Sequence, residues 1–271
     1  NLKFAPYTQW LYATVLKTFL EEQGVLKLSE SEWRKIRKRH ELKSRPVTVD
    51  RAPTREELRR ILNYLDIKGK ALVLFLASTG CRIGEALSVT VDDLDLDSDP
   101  PRAIIRAENT KGKVGGRVVF MTYEARDAIR DWLKIRGQLT KRVSGSSTYE
   151  SEWVFPFTVK TARDIWNNAL RKAGLDRKDK STGLRELHLH CLRKFFRSES
   201  GLDFDIVNAL MGHAEYLDRA YRRIGEKKLA EAYLKAMKNL SIYSAPTSRK
   251  EEIRRALAMQ GLTIEDIIQA F

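Results

Sequence analysis

Residues 70–89 read Lys-Ala-Leu-Val-Leu-Phe-Leu-Ala-Ser-Thr-Gly-Cys-Arg-Ile-Gly-Glu-Ala-Leu-Ser-Val. The apolar run from Ala71 to Ala77 is too short to span a membrane and reads as a buried helix. Gly80 ends it, because glycine enters the left-handed region without a steric penalty. A second short helix, Ile83 to Val89, follows directly. Arg82 falls at the junction, where the N–H groups of a helix start also favour an anion. A lone arginine is more often a surface or ion-pair residue. Its place in this turn is what marks it.

Further along the chain come His190-Cys191-Leu192-Arg193, Gly212-His213 and Tyr221. Two arginines, two histidines and a tyrosine have little reason to recur together as core packing. They make sense if they converge on one phosphate, since a guanidinium stays charged and its planar fork grips two phosphate oxygens. His190 and Arg193 stand three apart and share a face on a helix. Composition agrees: 50 Lys and Arg against 36 Asp and Glu give a net charge of +14. That excess suits a polyanionic partner, here a nucleic acid. A membrane surface is disfavoured, because no segment sets a basic face against a Trp/Phe/Leu face. No run of about 18 apolar residues and no signal peptide occurs, and the expected location is the cytoplasm, in association with the nucleoid. The chain opens on Asn1 rather than Met, so its start is expected to be missing.

The two cysteines, Cys81 and Cys191, do not make a disulfide framework. Each reads as a small packing residue beside the site. His188, His190, Cys191 and His213 lack the spacing of a zinc site, and on a mostly helical segment residues 188 and 190 point in different directions. No metal is expected.

Four stretches organise the chain. Residues 4–22 place Tyr7, Leu11, Val15 and Phe19 at helical spacing beside Trp10, and Gly24 ends that helix. Ser29-Glu30-Ser31-Glu32 is a capping box that opens a second helix. That helix carries a basic run, Arg34, Lys35, Arg37, Lys38 and Arg39, expected to meet the phosphates of a nucleic acid. These helices form a segment, 1–45, followed by a proline-containing linker at 46–53. Residues 54–243 form the main domain, mainly α with a small antiparallel β-sheet (α+β). Its helices lie at Leu58 to Leu65 after a Thr54 capping box, near 124–136, 160–173, 187–199, 203–211 and 226–239. Its strands run from Ala103 to Glu108 and from Arg117 to Thr122, around the glycine-rich turn Lys111-Gly112-Lys113-Val114-Gly115-Gly116. Residues 138–152 read as a loop. The tail, 244–271, sets Ile253, Leu257, Ile264, Ile267, Ile268 and Phe271 on an amphipathic stripe that must pack on its own domain or on a neighbour's.

Thr-Gly-x-Arg-x-x-Glu at 79–85, a hairpin lysine, His-x-x-Arg at 190–193, and Leu-Met-Gly-His at 210–213 followed by a tyrosine resemble the tyrosine recombinases, the phage and mobile-element integrase family. The resemblance spans roughly residues 54–243. It implies a clamp of Arg82 and Arg193, with His190 and His213 as supporting donors and Glu85 orienting Arg82. It implies that a hairpin lysine protonates the leaving 5′ oxygen. Lys111 fits best, with Lys113 the alternative and otherwise a DNA contact. It implies that Tyr221, eight residues beyond His213, attacks phosphorus to give a 3′-phosphotyrosyl link. Tyr216 lies too near the histidine turn, and Tyr233 and Tyr243 read as core aromatics. No metal or nucleotide cofactor is implied. Strand exchange within a homotetramer is implied, with a monomer as the state without DNA and the tail packing in trans. The residues ahead of the linker match only the last two helices of the family's core-binding domain, so either the chain is a piece or that domain is reduced. A type IB topoisomerase-like enzyme and a non-catalytic basic DNA-binding regulator are the rival readings.

Overall fold

The computed structural model describes residues 4, 6–42, 50–110, 115–143, 152–180, 183–213 and 225–243, with the backbone alone for 137–143. Two compact units emerge. The first comprises residues up to Asp50 together with Arg177–Glu186, and the second comprises Arg51–Asp176 and the residues from Leu187 on.

The first unit contains α1 (Pro6–Glu22) and α2 (Glu30–Arg39). Ser29 caps α2: its hydroxyl accepts from the Glu32 N–H at 3.3 Å, and the Glu32 carboxylate accepts from the Ser29 N–H at 2.8 Å. Trp33 is buried, with the Lys17 ammonium 5.8 Å from its ring centroid. The apolar stripe of α1 behaves differently from a core face. Leu11, Val15 and Phe19 are exposed by 42–60% within the described residues.

The second unit is built around α4 (Ile67–Thr79), where Ala71 through Ala77 are all buried. Its apolar residues occupy every face because α6 (Tyr123–Val143) and α8 (Cys191–Glu199) pack against it, with α3 (Arg55–Leu62), α7 (Val159–Lys172) and α10 (Glu226–Leu240) completing the surround. Burying each large apolar side chain contributes about 1.5–3 kcal/mol. Tyr233 on α10 lies fully inside and donates its hydroxyl to the Ser78 carbonyl at 2.8 Å. Two short helices, α5 (Ile83–Leu87) and α9 (Phe204–Leu210), sit at the ends of longer ones.

The sheet is antiparallel, in the order β1 (Leu94–Asp95), β2 (Arg102–Ile105), β3 (Arg117–Phe120). Its register pairs Ala103 with Val119 and Ile105 with Arg117. β2 alternates in burial as its sequence does, but Ala107–Asn109 turns into a 3-10 helix rather than extending it to residue 108, and β3 ends at Phe120, short of Thr122, with Val119 and Phe120 both buried. The two-residue strand β1 carries too little pattern to be legible. α6 runs on to Val143, past Gly137 and into what reads as loop; one glycine inside a long helix costs only about 1 kcal/mol. Tyr243 is 47% exposed rather than a core aromatic, because α10 ends at Leu240. No described helix is long and apolar enough to cross a membrane.

Candidate phosphate-binding site

α4 ends at Gly80, whose φ of +64° is left-handed. A Cβ there would lie 2.6 Å from Phe196 Cδ1, so only glycine lets α8 come this close. The close approach brings Arg193 of α8 to the end of α4, where its Nη1 donates to the Gly80 carbonyl at 2.5 Å. Arg193 is 4% exposed. Arg82 follows two residues after Gly80, as the N-cap of α5, and remains partly exposed.

Glu85 holds Arg82. Its Oε1 accepts from Arg82 Nη1 at 2.9 Å, and its Oε2 accepts from the Arg82 backbone N–H at 2.9 Å. The backbone N–H expected to favour an anion is therefore taken by a side chain of its own helix, and the cationic pull at this point comes from the guanidinium. Oε2 also accepts from Arg117 Nη2 at 2.7 Å. Burial alone would raise the Glu85 pKa. The adjacent Arg117 charge and these hydrogen bonds outweigh it, and the carboxyl titrates below the ordinary range.

His213 is placed by a helix stop. The Gly212 N–H donates to Ala209 O and the His213 N–H to Asn208 O, both at 2.9 Å, the paired closure of a Schellman turn. Gly212 supplies the left-handed φ of +77° which that turn needs. His213 Nε2 lies 3.3 Å from Arg193 Nη2. A guanidinium only donates, so a hydrogen bond here needs the tautomer with Nε2 as acceptor and the proton on Nδ1. Burial, then the charges of Arg193 and Arg82, depress the His213 pKa below its usual value. Burial and the repulsion of Arg82 likewise bring Arg193 down to about 10, still charged at neutral pH.

Arg82, Glu85, Arg193 and His213 thus meet at one place although they come from three stretches of sequence. With Arg117, three guanidinium groups stand against one carboxylate and leave an excess of positive charge, two of the three buried and Arg82 partly exposed. Such a field favours a phosphate and stabilises charge that grows on its oxygens. His190 is exposed at the N-cap of α8, one turn before Arg193. It stands ahead of the helix rather than on it. Residues 188 and 190 therefore do not diverge: their rings lie parallel, 6.3 Å apart. Cys81 and Cys191 are both buried. Lys111, Lys113 and Tyr221 lie outside the described residues. On the first unit, Arg34, Lys35, Lys38 and Arg39 are exposed and Arg37 is half-buried.

The sequence reading missed Arg117. Its side chain is wholly buried. The signal was there: Arg117 shares the parity of Val119 on a strand whose alternate residues face inward, where a charge requires a partner.

Fold and cluster together define an α+β domain able to receive a phosphate-type anion. The chain belongs to the phage integrase family, whose sequence profile matches residues 53–223, more than half of its length; these are the tyrosine recombinases. It is 30% identical over 173 residues to the tyrosine recombinase XerD of Bifidobacterium longum (strain NCC 2705), covering 62% of this chain and 53% of that protein. It is 28% identical over 177 residues to the tyrosine recombinase XerC of Listeria monocytogenes serotype 4b (strain F2365), covering 63% of this chain and 54% of that one. The chain thus spans about half the length of these curated relatives. Among solved structures, the fold is similar to that of XerA recombinase (TM-score 0.50, 20% identity, 86% of this chain and 77% of that one). It is equally similar to an integrase from mycobacterium phage Brujita (TM-score 0.50, 19% identity, 92% and 77%).

Proposed function

We propose that this chain is a site-specific DNA recombinase, the integrase of a mobile element, which cuts and rejoins DNA through a covalent 3′-phosphotyrosyl intermediate. One observation carries the reading. Arg82 and Arg193 are set beside His213, and a buried carboxylate holds Arg82, as a clamp on a scissile phosphate requires.

In this mechanism Arg82 and Arg193 hold the non-bridging oxygens, and His190 and His213 add contacts. The Tyr221 oxygen attacks phosphorus in line with the 5′ oxygen. The phenol has an unperturbed pKa near 10, and the surrounding cations ease loss of its proton. As the new P–O bond forms, the bond to the 5′ oxygen breaks, and the Lys111 ammonium gives that oxygen a proton. A free 5′ hydroxyl remains, and its attack on the phosphotyrosine reverses the step and religates the strand. Positive side chains carry out the charge stabilisation throughout. The basic face of α2 adds sequence-independent phosphate contacts. Residues 1–45 form the partial DNA clamp, 46–53 the linker and 54–243 the catalytic domain. Strand exchange takes place in a homotetramer on double-stranded DNA in the cytoplasm, with the tail packing in trans.

The test is incubation with a nicked suicide substrate. A covalent protein–DNA adduct is expected, and Tyr221→Phe should abolish it. An adduct that persists in Tyr221→Phe removes the nucleophile assignment. Tight, salt-sensitive binding that never yields an adduct removes the enzyme reading. Joining of two matched sites on separate DNAs would establish integration.

A further inference from the structure

Arg117 lies where the two halves of the site meet. It projects from β3 into the interior, and its side chain is fully buried. One arm of the guanidinium reaches the Glu85 carboxylate at 2.7 Å, the same group that holds Arg82. Its Nε donates to the Leu210 carbonyl at 2.8 Å, one of the carbonyls left over where α9 ends. Its flat face lies against Gly212, where a Cβ would come within 2.6 Å of Nη1. The next residue is His213, whose ring meets Arg193 at 3.3 Å. No other described side chain is shown bonding to both Glu85 and the α9 end.

We propose that Arg117 is the positioning residue of the site, setting the distance between Arg82 and His213. It does so by gripping the Arg82-bearing carboxylate on one side and the Gly212–His213 turn on the other. This rests on the recombinase reading above and deepens it. Arg117 touches no substrate; it acts through Glu85 and through the turn. Arginine suits the task because its planar fork donates in two fixed directions at once, which a lysine ammonium on a flexible stem does not. A displacement of about 1 Å in a catalytic group can cost about 100-fold in rate.

The experiment uses the full chain with Arg117→Lys and Arg117→Gln. Arg117→Lys should fold with a cooperative melt and keep its DNA affinity. Its rate of adduct formation on the nicked substrate at saturating DNA should fall about 100-fold. In both variants the His213 imidazole, followed by its ring-proton NMR signal, should titrate closer to an ordinary histidine, because the turn leaves its buried seat. A folded Arg117→Lys that cleaves at the wild-type rate, or an unmoved His213 titration, overturns the proposal. Should neither variant fold, the wild-type chain decides. Its Arg117 Nε–H signal should shift when inorganic phosphate is titrated in, and a signal indifferent to phosphate overturns the proposal. A wild-type chain that forms no adduct on any nicked DNA removes the recombinase reading instead, and the NMR measurements still report on Arg117.

Discussion

Two regions of this molecule are rich in positive charge, and they use it in opposite ways. On α2, Arg34, Lys35, Lys38 and Arg39 face solvent. Each is a flexible cation whose field fades within about 8 Å at physiological salt. Around Glu85, Arg117 and Arg193 are almost wholly inside, and every guanidinium has a fixed direction. The exposed charges depend on number, and one more or less changes little. The buried ones depend on placement, and each has a neighbour that would be stranded without it. Net charge alone, the quantity composition supplies, does not distinguish the two.

Glu85→Ala should strike hardest. It leaves Arg117 buried beside no carboxylate, a loss of roughly 3–5 kcal/mol of stability, visible as a fall in Tm of about 2–4 °C per kcal/mol for a domain of this size. A Tm unchanged within a degree would show that the fold does not depend on the Glu85–Arg117 pair. Arg193→Ala comes next. Adduct formation at saturating DNA should fall by about 10²–10³-fold, the usual loss when one donor to developing charge is removed. A reduction confined to DNA affinity would recast Arg193 as a binding residue only.

The third effect is a pH dependence. His213 titrates lower in the folded chain than its ordinary value of 6.5. Between those two values the unfolded chain takes up a proton that the folded chain refuses, so stability falls as pH drops below about 6.5 and is fully present above it. Urea midpoints measured from pH 7 to pH 5 should show this slope, and His213→Gln should flatten it. A wild-type slope in that variant would assign the effect to another group. The smallest effect belongs to α2. Lys38→Ala should weaken binding to all DNA sequences alike and reduce the salt slope by about one, with the cleavage rate at saturation unmoved. Sequence-dependent loss would show that α2 reads bases.

Much of the fold was legible because its signals are local. The capping boxes at Ser29 and Thr54, the all-apolar α4 and the glycine at its end each declare themselves within a few residues. Arg82, Arg193 and His213 stood out for another reason, as cationic residue types with little reason to recur together as core packing, whereas Glu85 was singled out only by the family resemblance. What escaped depends on tertiary context. Arg117 is read as a strand residue until its partners are known, and those come from α5 and the end of α9. The α1 stripe carries a clean helical period, yet period shows only that a face is apolar and not what covers it. His188 and His190 depended on where α8 begins, a boundary set by a turn whose residues carry no strong stop signal.

In genetic terms, Gly80 makes the chain fragile at a place that performs no chemistry. Its left-handed backbone and its contact with Phe196 leave no room for a side chain, and its carbonyl is the anchor for Arg193. A single-base change that converts this glycine to alanine, serine or aspartate would shift the arginine without altering any of the proposed phosphate-binding side chains. A selection for inactive proteins that still bind DNA should therefore return Gly80 alongside the residues of the clamp itself.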